Sequence, residues 1–222
     1  MRIIVIVLYT ILYSVIPCSR WSEMTEALKF HVGLARAANA PCEFRLLNSA
    51  APVSIGFGRN DEDAGYSTLI RAFEDSPDGG TPLCRHIREI VAKISSMETQ
   101  LRSQGQKACV VIMTDGESSD GDIAQAMQPL KALPVWVVIR LCTDDDKIVN
   151  YWNNIDSQLE LGMDVLDDLC GEAIEVGGCN PWLTYGEPLH RLREFGIAVK
   201  ELDLLDESLL TLEQVRKMSS IM

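Results

Sequence analysis

Residues 108–117 of the chain read Ala108-Cys109-Val110-Val111-Ile112-Met113-Thr114-Asp115-Gly116-Glu117, an apolar run that stops abruptly at Thr-Asp-Gly. A run of this kind predicts a strand that is buried on both faces of a parallel sheet. Asp115 then lies at the carboxyl end of the strand, where open α/β sheets bind their ligands. Taken alone, Asp115 is also explained by an Asp-Gly turn that ends the strand.

A second motif precedes this strand and predicts a polar group at the same edge. Residues 78–83 read Asp-Gly-Gly-Thr-Pro-Leu, a glycine turn leading into a helix, with Thr81 as the expected N-cap and Pro82 as the first helical residue. The amino end of this helix and the carboxyl end of the 108–114 strand share one edge in a doubly wound sheet. We therefore expect the Thr81 hydroxyl and the Asp115 carboxylate to lie on the order of 4 to 6 Å apart.

The Gly-Gly-Thr-Pro turn, the apolar strand ending in Thr-Asp-Gly, and a first helix starting near residues 20–27 together resemble the von Willebrand factor type A (vWA) domain. The resemblance covers about residues 3–142. It implies a protein-binding module with a metal-ion-dependent adhesion site, whose bound Mg²⁺ or Mn²⁺ is completed by a carboxylate of the ligand. Thr81 and Asp115 match two of the three parts of that site.

The third part of the family's site, an Asp-x-Ser-x-Ser loop after the first strand, is missing. Its spacing from Trp21 would place it near Ile11, Tyr13 and Val15, and the chain has no Asp or Glu before Glu23. Magnesium prefers octahedral oxygen coordination anchored by carboxylates. We therefore expect Mg²⁺ or Mn²⁺ to bind no tighter than roughly millimolar.

Apolar periodicity predicts an α/β fold with a doubly wound, mostly parallel sheet flanked by helices, in one domain over residues 1–142. Residues 143–222 are expected to continue as helices packed on that domain, with 148–169 helical and a sharp break at 177–182. The expected elements before residue 143 are helices at 22–38, 64–73, 83–104 and 123–133, and strands at 43–47, 53–57, 108–114 and 135–141.

The amino terminus has three interpretations. Residues 3–16 are almost entirely apolar, and residues 3–8 could be the first, central strand, between the strand at 43–47 and the strand at 108–114. Residues 1–18 could instead be a signal peptide, which would make the protein secreted. Residues 1–17 could also be a segment foreign to the domain. The seven cysteines show no C-x-x-C pair, which favours a reducing, intracellular compartment.

Charge restricts the partners that this chain can bind. The net charge of −12 and a pI near 4.7 argue against non-specific binding to nucleic acid and against docking on anionic membranes, since both surfaces would repel the chain. A basic, cationic or metal-bridged protein partner is favoured instead. Glu117, Asp120 and Asp122 are expected to form a solvated acidic rim, and the acids at 144–146 to cap a helix.

Catalytic constellations are weak in this sequence. His31, His86 and His190 fall in three separate predicted helices, without metal-ligand or triad spacing. Cys84 and His86 are two residues apart on a helix, so they cannot form a nucleophile and base pair. We therefore expect a vWA-type protein-interaction module and no enzyme. The alternative is a Mg²⁺-dependent phosphoester hydrolase acting at the same sheet edge.

Overall fold

The computed structural model describes residues 19–48, 51–56, 62–74, 79–143, 145–159, 161–197 and 199–221. The expected first strand at residues 3–8 lies outside the described residues. In chain order the elements are α1 Arg20–Ala38, β1 Cys42–Phe44, β2 Val53–Ile55, α2 Glu62–Glu74, α3 Leu83–Ser103, β3 Ala108–Thr114, α4 Ile123–Met127, a 3₁₀ helix Gln128–Ala132, β4 Val135–Leu141, α5 Asp146–Leu159, β5 Met163–Leu166, α6 Leu169–Cys179, α7 Glu187–Glu194, α8 Lys200–Asp203 and α9 Leu212–Ile221.

A parallel sheet of three strands, in the order β3-β4-β5, forms the centre of the fold. Val110 lies beside Val137, and Val137 lies beside Met163, so the apolar positions of the three strands are in register. The connections between these strands contain α4 and α5. The expected mixed α/β fold with a parallel sheet flanked by helices is confirmed. The strands predicted at 43–47 and 53–57 form a separate antiparallel pair, β1 with β2.

One face of the sheet carries the main apolar core. Val110 and Ile112 of β3 and Val137 and Ile139 of β4 point into it and pack against α3, α4 and α5. Each fully buried side chain of this size stabilises the fold by roughly 1.5–3 kcal/mol. Trp152 of α5 is completely buried in the same cluster.

The other face of the sheet carries Arg140 of β4 and Asp164 of β5, which lie against residues of α1 and α7. Helices therefore cover both faces, as a doubly wound sheet requires. Two smaller apolar clusters complete the molecule, one around α1, α2 and β2 and one among α6, α8 and α9.

Three expectations about this architecture are wrong in detail. Residues 163–166, expected to be helical, form β5, which extends the sheet beyond residue 142. Helix α6 runs through Gly177 and Gly178 and ends only at Cys179, so the chain breaks later than predicted. Strand β3 is not buried on both faces, since Cys109 and Val111 are exposed. In the described part of the chain β3 pairs with β4 alone and is therefore an edge strand, and the face that carries Cys109 and Val111 is only partly covered.

Candidate functional site

The carboxyl end of β3 is fixed by a tight turn that leaves Asp115 in solvent. Thr114 is buried, and its hydroxyl lies 3.2 Å from the backbone nitrogen of Gly116. The carbonyl of Gly116 accepts a hydrogen bond from the indole N–H of the buried Trp152 at 3.2 Å. The backbone on both sides of Asp115 is therefore anchored in the core, while its own side chain is half exposed.

Thr81 lies against the loop that follows β3. The backbone N–H of Thr81 donates to the Ser119 hydroxyl at 2.9 Å, and the backbone N–H of Ser119 donates to the Thr81 carbonyl at 2.8 Å. The glycine at Gly80 favours this approach, because a Cβ there would make a tight contact of 3.1 Å with the Ser119 hydroxyl oxygen. The amino end of α3 and the carboxyl end of β3 therefore lie at one edge of the sheet, which confirms that part of the sequence prediction.

Thr81 is not the N-cap of α3, contrary to expectation. Pro82 occupies that position without a side-chain cap. The carboxylate of Asp120 does the capping from the neighbouring loop, accepting from the backbone N–H groups of Cys84 and Arg85 at 2.9 Å each. A residue distant in sequence thus satisfies the helix amides, which no local capping pattern could predict.

The acidic rim has the exposure expected from the sequence, but two of its members cap helices. Glu117, Asp120 and Asp122 are all exposed. Partial desolvation raises the pKa of Asp120, but hydrogen bonds from Ser118 and from the α3 backbone outweigh it and hold that pKa below its usual range. The carboxylate of Asp122 accepts from the backbone of Gln125 at 3.1 Å and so caps α4.

The carboxyl end of β4 adds further acids to this edge. The carboxylate of Asp145 accepts from the Lys147 backbone N–H at 3.0 Å at the start of α5, and Asp146 lies in the first turn of that helix. The capping interpretation is therefore confirmed for Asp145, while Asp144 lies outside the described residues. Asp145 and Asp146 are both exposed.

The amino end of α1 reaches the same edge and brings a cation to it. Ser19 caps the helix by accepting from the Ser22 backbone N–H at 3.1 Å. The next residue, Arg20, places a guanidinium nitrogen 3.8 Å from a carboxylate oxygen of Asp115, with both side chains about half exposed. Sequence reasoning used Arg20 only to locate the helix. We name the surface formed by Arg20, Thr81, Asp115, Glu117 and Asp122 the carboxyl edge.

The residues described at the carboxyl edge do not fit a resident Mg²⁺ or Mn²⁺ ion. Such ions require near-octahedral oxygen coordination, usually with one or two carboxylates. Asp115 is already paired with Arg20, and the hydroxyl of Ser118 donates to Asp120 at 2.8 Å. The hydroxyl of Ser119 and both oxygens of Asp120 are also hydrogen-bonded. The positions of Ile11, Tyr13 and Val15 lie outside the described residues.

A buried ionic network lies behind the carboxyl edge, and no pattern in the sequence indicated it. Glu194 of α7 is completely buried and accepts from Arg140 at 2.7 Å and from Arg191 at 2.8 Å. The Nε2 atoms of His190 and His31 lie 3.2 and 3.4 Å from its carboxylate oxygens. Two histidines on separate helices, interpreted as ordinary helix residues, thus meet at one carboxylate.

Electrostatics at Glu194 favour its ionised form. Burial raises the pKa of Glu194, but interactions with His190, His31 and Arg140 outweigh burial and hold that pKa far below its usual range. Arg140 also pairs with Glu23 of α1. The network therefore ties α1, β4 and α7 together through charge.

A second network centres on Arg193, which is 1% exposed. Its guanidinium binds Asp164 at 3.0 Å, Glu172 at 2.7 Å and Asp206 at 2.9 Å. Beside it is an acidic cleft of about 160 Å³. The acids lining this cleft are Asp156, Asp164, Glu175, Asp203, Asp206 and Glu207.

Crowding of negative charge changes the titration of the acidic cleft. Burial and the neighbouring carboxylates of Asp164 and Glu207 raise the pKa of Asp203 to about 7. Carboxylate oxygens of Glu172, Glu175 and Asp206 lie within 4.8 Å of one another, close enough to share a cation. The sequence could not reveal this group, because Glu172 and Glu175 lie on α6 whereas Asp206 follows α8.

Comparison with known proteins found no matching family model, no matching curated protein and no matching solved structure. Among the residues that the structure describes, none of the helices combines the length and the apolar character needed to cross a bilayer.

Proposed function

We propose that this chain is a non-catalytic protein-interaction module of the vWA type, which binds its partner at the carboxyl edge. The observation that carries the proposal is the meeting of three elements there. Thr81 is bonded to the loop after β3, and Arg20 at the start of α1 pairs with Asp115 of the same loop. Ligands of open α/β sheets bind at this edge.

The exposed charges of the edge indicate a basic partner. Glu117, Asp122, Asp145 and Asp146 are all exposed at the ends of β3 and β4. They belong to a chain with a net charge of −12. Complementary charge speeds encounter and suppresses wrong partners, so a segment rich in Lys and Arg fits this surface.

The proposed docking relies on protein charge, with divalent metal contributing weakly. In the family, a ligand carboxylate completes the coordination of the metal. Here the group beside Asp115 is the Arg20 guanidinium, and because both side chains are about half exposed, a basic group of the partner can replace Arg20 at the Asp115 carboxylate. Phosphoester hydrolysis at the same edge would need a nucleophile or general base beside Asp115, whereas the ion-pair partner described there is an arginine.

A peptide selection tests the proposal and does not require the partner to be identified first. A random peptide library is selected on the full chain, and the enriched peptides are then measured against Glu117→Lys and Glu213→Lys. Glu213 is an exposed acid in the first turn of α9, so both variants change the net charge equally. We expect basic peptides whose affinity falls about tenfold with Glu117→Lys and stays unchanged with Glu213→Lys.

Two outcomes would contradict the proposal. One is enrichment of peptides without basic residues. The other is equal loss of affinity in both variants, because that result would mean that the peptides respond to total charge and not to the carboxyl edge.

A further inference from the structure

A cavity of about 200 Å³ lies beside the first turns of α3. Arg85, His86 and Glu89 of that helix line one side, and Arg45, just after β1, lines the other. The cavity is distinct from the carboxyl edge, since neither Thr81 nor Asp115 lines the cavity. Two guanidinium groups and an imidazole therefore converge on one small space in an otherwise acidic protein.

Arg45 is held in place by two carboxylates. Its Nε donates to Glu43 at 2.8 Å and its NH1 donates to Glu89 at 2.5 Å. Its positive charge is therefore largely compensated, and its position is fixed. Arg45 forms a rigid wall of the cavity.

Arg85, on the other side of the cavity, makes a different set of contacts. Its NH2 group donates to the carbonyl of Leu47 at 3.0 Å and lies 3.2 Å from Nε2 of His86. Among the described residues, no carboxylate lies within 4.0 Å of the Arg85 guanidinium, whereas Arg45 pairs with both Glu43 and Glu89. Its remaining N–H groups are available to a ligand.

His86 forms part of the same cavity wall. The residue is only 9% exposed, and its Nε2 lies 3.0 Å from the Leu47 carbonyl and near Arg85. Its Nδ1 is buried and has no hydrogen-bond partner among the described residues. Nδ1 is closed off from solvent, so the imidazole forms part of the cavity wall without offering a hydrogen bond to a ligand.

We propose that this cavity binds a small oxyanion of about the size of phosphate. The guanidinium of Arg85 donates to the ligand oxygens, since its planar fork matches carboxylate and phosphate geometry. The Leu47 carbonyl, which can only accept, lies 3.0 Å from Nε2 of His86, so Nε2 carries the proton of the neutral ring and the imidazole serves as a wall of the cavity. Glu89 opposes anion binding through its own charge and by neutralising Arg45.

The test is a titration of the full chain with inorganic phosphate, followed by NMR of backbone and side-chain N–H groups at constant ionic strength. We expect saturable shifts around Arg85 and His86 with a Kd of about 1 mM. Arg85→Gln should weaken binding at least about tenfold through loss of charge-assisted hydrogen bonds. Arg88→Gln, on the same helix, is the matched control, since Arg88 faces Gly121 and does not line the cavity.

Two further arms make the test discriminating. Sodium acetate replaces phosphate in a parallel titration, and saturation by acetate alone would identify the ligand as a carboxylate. Glu89→Gln should tighten binding about threefold, because it removes a negative charge from the cavity wall and releases Arg45. A gain of affinity cannot result from misfolding.

The proposal is overturned by the absence of saturable binding for both anions. It is also overturned if Arg85→Gln and Arg88→Gln weaken binding equally, or if Glu89→Gln fails to tighten it. Asp115→Ala should leave anion binding unchanged, so failure of this site and failure of docking at the carboxyl edge are separable.

Discussion

Replacing Glu194 by Gln should destabilise the fold by about 3 kcal/mol, because it breaks a fully buried ionic network. The carboxylate accepts from Arg140 at 2.7 Å and from Arg191 at 2.8 Å, and it lies within 3.4 Å of two histidines. Removing one partner of a buried pair costs about 3–5 kcal/mol, since the other charge stays buried without compensation. The lower end of that range applies here for two reasons. Gln preserves the side-chain volume and one acceptor oxygen, and Arg140 still forms its ion pair with Glu23.

Urea unfolding at neutral pH measures this loss, with Glu187→Gln as the matched control. Glu187 lies on the same helix and also pairs with Arg191, at 3.4 Å, but its side chain is 65% exposed. An exposed pair contributes about 0–1 kcal/mol, so the control variant should be nearly as stable as the wild type. A loss below about 1 kcal/mol for Glu194→Gln, or equal losses in the two variants, would refute the reasoning.

The pH dependence of the same variant gives a second check. Because the pKa of Glu194 is held below its usual range, the native state binds fewer protons than the unfolded chain once the pH approaches 4.5. The stabilisation that ionised Glu194 contributes is complete above that pH and is lost as the pH falls towards the pKa of Glu194 in the folded state. The stability difference between the wild type and Glu194→Gln should therefore narrow in acid.

Three further predictions concern the carboxyl edge and the acidic cleft. Asp120→Ala should lower the free energy of unfolding by about 1–2 kcal/mol in urea titrations, since it removes the cap from two α3 amides; an unchanged midpoint would contradict that role. Asp203→Asn should stabilise the protein by about 1 kcal/mol at pH 8, a figure discounted for solvent screening, and have little effect at pH 4. The sign follows from a pKa raised from 3.8 to about 7, which makes stability fall as the pH rises through that window. Calorimetric titration should detect Mg²⁺ or Mn²⁺ binding no tighter than roughly millimolar; micromolar binding abolished by Asp115→Ala would show that other residues replace the missing loop.

Elements with strong apolar periodicity could be predicted from the sequence almost to the residue. Strand β4 occupies Val135–Leu141 as expected, and α1 ends at Ala38 with Asn39 as its left-handed cap. In these elements the local pattern and the tertiary packing agree, so the local pattern was sufficient. The placement of Thr81 beside the loop after β3 followed from the topology of parallel sheets.

Features that depend on distant residues could not be predicted in this way. Strand β5 has only four residues and contains Asp164, an acid that is buried because Arg193 binds it. The start of α3 also depends on a distant residue, because its backbone amides are capped by Asp120 and not by Thr81. His31 and His190 showed no shared spacing, because the partner that joins them is Glu194.

Photo-crosslinking from the two ends of the parallel sheet tests the docking proposal most directly. A photoreactive amino acid is placed at Lys147, an exposed residue in the first turn of α5 at the carboxyl end of β4, or at Gln106, an exposed residue just before the amino end of β3. Docking at the carboxyl edge predicts that a basic partner peptide crosslinks from position 147 alone, that Asp115→Ala reduces the yield, and that EDTA changes the yield little. Equal or stronger crosslinking from position 106 would contradict it.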